Sequence, residues 1–133
     1  MRVADLMHTN LRTVDPDATI AEAVTILSDG HVSGLPVVDG RRHVLGVITA
    51  SDVVTAIAEA DSPRDRERLF DATPVRDIMT ARPQVVSVDT DVAEAARTML
   101  YLEMHRLFVL DGPELVGVIS QSDIAGAVAT AKL

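Results

Sequence analysis

Gly46-Val-Ile-Thr-Ala-Ser-Asp52, "GVITASD", returns later in the chain as Gly117-Val-Ile-Ser-Gln-Ser-Asp123, "GVISQSD". In each copy a β-branched run leads to a hydroxyl residue, and an Asp follows three positions on. Two explanations compete. The fold needs the same helix start twice, or each copy carries one half of a paired binding site. Reading outward at a constant offset of 72, Asp5-Leu6-Met7 falls on Asp77-Ile78-Met79, and Ile20-Ala21-Glu22-Ala23 falls on Val92-Ala93-Glu94-Ala95. Leu35, Val37, Asp39 and Gly40 fall on Leu107, Val109, Asp111 and Gly112, and one residue is then dropped in the turn. The chain is thus a tandem duplication of about 50 residues. Two copies are too few for a solenoid, which points to a closed pseudo-two-fold pair.

Each copy carries the same element signals. Thr19-x-x-Glu22 and Asp91-x-x-Glu94 have capping-box spacing. Apolar residues then recur at helical spacing, as Ile20, Ala23, Val24 and Leu27, and as Val92, Ala95, Ala96 and Met99. The runs Leu35–Val38 and Val44–Thr49, like Leu107–Leu110 and Leu115–Ser120, read as hairpins across a Gly-bearing turn. Val53, Val54, Ile57 and Ala58 mark a further helix, with Ile124, Ala125, Val128 and Ala129 as its partner. A short strand, Thr13-Val14 or Val85-Val86, is expected before the first helix of each copy. The repeating unit is β-α-β-β-α and the fold class α+β. Repeat 1 spans 1–58 and repeat 2 spans 75–133. The charged connector at 59–74 reads as a helix end plus a short second helix, pinned by Leu69 and Phe70.

Composition narrows the function. The chain has 133 residues, 47% of them hydrophobic but only 2% aromatic, so its core is aliphatic. A formal net charge of −8 disfavours nucleic acid and anionic membrane as partners. There is no cysteine, no secretory h-region at the start and no apolar run long enough to span a bilayer. A cytoplasmic setting is expected. His8, His31 and His43 fit no metal spacing and read as surface or turn residues. No nucleophile sits in a triad-like context, so no catalytic residue and no metal site are expected.

The ordered set "VADLM"/"VRDIM", "TIAEAV"/"DVAEAA", "LPVVDG"/"LFVLDG" and "GVITASD"/"GVISQSD" resembles the CBS (cystathionine-β-synthase-like) family. Specifically, it resembles the tandem CBS pair called a Bateman module. The resemblance covers nearly the whole chain and leaves no room for an enzyme domain. It implies a regulatory module that needs no cofactor and binds adenosine compounds in clefts between the repeats. AMP, ADP and ATP lead that group, with S-adenosylmethionine or a dinucleotide as further members. It also implies assembly into a homodimer and a regulated protein partner. By matching positions, Thr49 and Ser120 contact phosphate, and Asp52 and Asp123 take the ribose hydroxyls.

Elementary chemistry agrees with that carry-over. Free amides at a helix N-terminus attract anions, and a hydroxyl adds a donor. A carboxylate repels phosphate yet accepts from vicinal hydroxyls. The same residues are equally good helix caps, and a cap occupies part of what a ligand needs. The copies differ beside this motif. His105-Arg106 precedes the hairpin in copy two, where copy one has Ser33-Gly34. Arg106 offers a forked cationic donor to phosphate and His105 a pH-dependent one; alternatively, Arg106 pairs with Glu103. Phe108 stands where copy one has Pro36, which alters the fit of adenine. The resemblance places adenine against Thr13, Val14, Val85 and Val86, and Arg12, Arg41 and Arg42 are further phosphate candidates. Gly46 and Gly117 mark places where a backbone or a ligand approaches a strand closely. The expected function is adenosine-nucleotide sensing without turnover. The alternative is an interaction or structural dimer whose ligand site is vestigial.

Overall fold

The structure, a computed structural model, describes residues 1–32, 34–81 and 83–129. Two compact units are present, one formed by 1–11 with 84–133 and the other by 12–83. Their boundaries are offset from the sequence repeats. Each unit holds the helices and hairpin of one repeat and the leading segment of the other.

In the unit 12–83, helix α2 (Ile20–Gly30) starts at Thr19, whose hydroxyl accepts from the Glu22 amide. It stops at His31, which adopts the left-handed conformation at φ 50° and donates its amide to Leu27 O and Ser28 O. Strands β1 (Gly34–Val38) and β2 (Val44–Thr49) form the expected antiparallel hairpin, and β3 (Thr80–Ala81) adds to β2. Helix α3 (Ala50–Glu59) follows β2 directly. The connector forms α4 (Pro63–Ala72), with Ser62 as its cap and Pro63 in the first turn, where the missing N–H does no harm. Leu69 and Phe70 pack against the core made by Ile20, Leu35, Val37, Ile48 and Val75.

The unit 1–11 with 84–133 repeats this plan. It contains α1 (Val3–Leu6), β4 (Val85–Ser87), α5 (Val92–Leu102), β5 (Arg106–Asp111), β6 (Glu114–Ser120) and α6 (Gln121–Ala129). Strand β4 runs parallel to β5, and β5 runs antiparallel to β6. Helix α5 ends like α2, at Glu103 with φ 55°. Its start differs from the capping-box expectation, because the Asp91 carboxylate accepts from the Ala93 amide.

The exchange of leading segments is built from matched bonds. Val3 N donates to Thr90 O, and Val75 N donates to Ala18 O, each at 2.8 Å. Val3 and Val75 are fully buried, each in the core of the unit it joins. Burial of one such side chain is worth about 1.5–3 kcal/mol, which fastens the segment. Gly46 and Gly117 are then explained. A Cβ on Gly46 would lie 2.6 Å from Thr80 O and 2.8 Å from Met79 Sδ. On Gly117 it would lie 2.9 Å from His8 O and 2.8 Å from Met7 Sδ. The glycines make room for the incoming backbone and its methionine.

One expected strand is not formed. Thr13 is outside any strand, and Val14 makes a single parallel bridge to Val37. Two prolines account for this. Pro16 occupies the place of Val88, whose amide donates to Leu110 O at 3.0 Å. Pro36 removes the β1 amide on the other side of the bridge. Without those N–H groups the ladder cannot extend in either direction.

Candidate functional site

Thr49 and Ser120 sit where a strand hands over to a helix, and their hydrogen-bonding patterns match. The Thr49 amide donates to Asp52 Oδ2 at 2.9 Å, and the Asp52 amide donates back to Thr49 Oγ1 at 3.1 Å. The Ser120 amide donates to Asp123 Oδ2 at 2.8 Å, and the Asp123 amide donates to Ser120 Oγ at 3.1 Å. Both are complete reciprocal caps. The cap uses each hydroxyl oxygen as an acceptor, so its O–H remains a donor for an anion. It uses one oxygen of each carboxylate.

The other oxygen has a partner that sequence reasoning missed. Thr80 Oγ1 donates to Asp52 Oδ1 at 3.2 Å, and His8 Nε2 lies 2.6 Å from Asp123 Oδ1. His8 and Thr80 are equivalent at the repeat offset, and each arrives on the exchanged segment. His8 is exposed, as expected of a surface residue, yet it is also a partner of the motif Asp. The available signal was a polar residue directly after the Met of "VADLM" and "VRDIM". A carboxylate has about four acceptor positions, so two bonds leave room for ribose hydroxyls.

The remaining candidates gather unevenly. Arg106 lies directly across the ladder from Ser120, as Gly34 does from Thr49. Arg106 is exposed and, among the described residues, has no ion pair with Glu103 or any other carboxylate. The His105 carbonyl accepts from the Gln121 amide at 2.8 Å, and Gln121 Nε2 donates to Met104 O at 3.1 Å. Gln121 therefore ties the turn carrying His105 to the start of α6, where copy one has Ala50. Because β4 runs parallel to β5, its start lies at the sheet end where β6 passes into α6. Val85 and Val86 line a cavity of about 300 Å³ with Ser87, Leu110 and Gly112. Thr13 is half-buried and Val14 is buried beneath its bridge to β1. Ser33 lies outside the described residues. Of the arginines, Arg41 follows Asp39, whose carboxylate accepts from the Arg41 and His43 amides at 2.8 and 2.9 Å. Donation by the His43 amide foremost, then by Arg41, holds the Asp39 carboxyl below its ordinary range.

Among the described residues, no cluster of three or more His, Cys, Asp or Glu side chains is placed to hold a metal ion. No described helix is long and apolar enough to cross a membrane.

The CBS-domain family model matches residues 3–59 and 75–130, one match per repeat. This chain belongs to the CBS-domain family. A similar CBS pair of solved structure is CBSX2 in complex with AMP, 28% identical, with a TM-score of 0.82 over 99% of this chain and 98% of that one. The chloroplastic CBSX2 of Arabidopsis thaliana is 28% identical over 94% of this chain and 62% of its own length. An uncharacterized 17.7 kDa protein of Acidianus ambivalens is 30% identical over 96% of this chain and 73% of its own length. The chain thus spans somewhat under two thirds of CBSX2 and about three quarters of the archaeal relative.

Proposed function

We propose that this CBS pair is a non-catalytic regulatory module that binds adenosine nucleotides, AMP, ADP or ATP. The reading rests above all on the matched pairs Thr49–Asp52 and Ser120–Asp123. Each sets an outward-capable hydroxyl and a half-engaged carboxylate at a helix N-terminus, the arrangement a ribose-phosphate needs. The likeness to CBSX2, solved in complex with AMP, supports the same ligand class. Arg106 beside Ser120, against Gly34 beside Thr49, makes the two half-sites unequal, with the stronger phosphate contact in copy two. Binding regulates only through a difference in affinity between two states of the protein, and those states set its hold on a partner protein. A homodimer in the cytoplasm belongs to the same proposal, and exposed Leu100, Tyr101 and Val128 on α5 and α6 support self-association.

The test is calorimetric titration of nucleotide-stripped protein with AMP, ATP, S-adenosylmethionine and NAD. Saturable binding with AMP or ATP ranked first is expected. Silence across the panel at millimolar ligand overturns the reading. A second reading, a structural or interaction module, is favoured by one observation: both caps are fully reciprocal and explain the motif without a ligand.

A further inference from the structure

We infer that His8 is a specificity-determining residue of the Ser120–Asp123 half-site, making it favour phosphate-bearing adenosine ligands more strongly at acid pH, while the Thr49–Asp52 half-site is indifferent. The inference rests on the nucleotide reading above and assigns a regulation to that site.

The geometry carries it. An ionised carboxylate only accepts hydrogen bonds, so the proton between His8 Nε2 and Asp123 Oδ1, 2.6 Å apart, sits on Nε2. That holds for the neutral ring and for the imidazolium, since protonation adds the second proton at Nδ1. Asp123 therefore keeps the same bonds, and the same acceptor capacity for ribose, in both states. What changes is charge. The His8–Asp123 pair passes from −1 to 0 when the ring is protonated. Asp123 is only 14% exposed while His8 is 68% exposed, so the ring meets solvent more fully than the carboxylate does. A phosphate at the Ser120 hydroxyl senses this loss of negative charge, whereas an uncharged nucleoside does not.

Thr80, the counterpart in the other unit, donates a hydroxyl that keeps no charge at any relevant pH. Other titratable or charged groups lie on the elements packed around His8 and Asp123. His105 and Arg106 stand at the head of β5, Glu114 at the far end of β6, and Asp5 on α1 with its carboxylate on the Arg2 amide. None of them differs between the protein and a His8 variant.

The experiment is calorimetry on the full chain at pH 6 and pH 8 with AMP and with adenosine. It compares the parent, His8→Thr, His8→Gln and the reciprocal Thr80→His. Every other titratable group, the AMP phosphate included, is common to all four proteins and cancels in the comparison. On acidification, the parent should gain roughly two- to tenfold in AMP affinity relative to His8→Thr and His8→Gln, the size of one added charge beside a phosphate. Adenosine affinity should show no such difference, and Thr80→His should gain a second pH-dependent component. Identical pH profiles for AMP binding by the parent and both His8 variants overturn the inference while leaving nucleotide binding intact. Absence of AMP binding by the parent at both pH values overturns the functional reading, and this inference with it. A thermal melt of each variant separates loss of fold from loss of pH response.

Discussion

Replacing Gly46 with Ala puts a methyl group where the exchanged segment already lies. Its Cβ would stand 2.6 Å from Thr80 O, 2.8 Å from Met79 Sδ and 3.2 Å from Met79 Cγ. The thioether can swing away, but the carbonyl belongs to backbone paired with β2. Reaching ordinary contact at 3.4 Å therefore requires β3 itself to withdraw. Overpacking of this kind costs about 1–3 kcal/mol, and removing a strand glycine returns about 0.5–1 kcal/mol. The net expectation is a loss of up to roughly 2.5 kcal/mol, centred at about 1 kcal/mol. In urea, the unfolding midpoint should fall with an unchanged slope. Gly40→Ala is the control, because no atom lies within 4 Å of its Cβ and its cost should stay within about 0.5 kcal/mol. Gly117→Ala should act in the same sense and release the His8 and Val118 amides, which donate to each other's carbonyls at 2.9 Å, to hydrogen exchange. A Gly46→Ala protein as stable as its parent would refute the claim that these glycines exist to admit the exchanged segment.

Three further outcomes are expected. Asp52→Ala should cost roughly 0.5–2 kcal/mol through the lost cap and abolish nucleotide binding in its unit. Asp52→Asn should restore most of the stability but not the affinity; equal loss of both in the two variants, seen by melting and calorimetry, would argue for a cap alone. Pro16→Val supplies the missing amide opposite Val38, so that new amide should be protected in hydrogen exchange as Val88 is; free exchange would show that the prolines are not what shortens the strand. Asp39 has a folded pKa below its ordinary 3.8, so its stabilising contribution is fully present above that value and is lost as pH falls through the folded pKa. The stability gap between parent and Asp39→Ala should therefore be constant near neutrality and close below about pH 4. A gap that persists at pH 2 would refute the assignment.

Much of this architecture is local, and local patterns are what a sequence displays. The helices at Ile20 and Val92, both hairpins and the connector helix fall where periodicity, caps and turns put them. The exchange of leading segments is different. Strand β3 has two residues, and no periodicity in so short a piece names the sheet it joins. The decision lies in burial of Val3 and Val75 against distant side chains. Loss of the Thr13-Val14 strand was readable in principle from Pro16 and Pro36, but only once the pairing to β1 is known. At the site, the repeated hydroxyl–Asp motif exposed Thr49, Asp52, Ser120 and Asp123 at once. His8 and Thr80 stayed hidden because each belongs by sequence to one repeat and by contact to the other.

That exchange also orders events in time. The Thr80–Asp52 bond closes over 28 residues, while the His8–Asp123 bond closes over 115. Chain-entropy scaling makes the longer closure harder by roughly 1 kcal/mol. On a growing chain, the unit 12–83 is contiguous and can condense as soon as it emerges. The contacts of residues 1–11 with Val118 and Asp123 must instead wait until those residues have been made. Two units drawn to one plan thus acquire different folding histories: a quick one with local closure, and a late one whose waiting apolar segment is open to chaperones and to wrong partners.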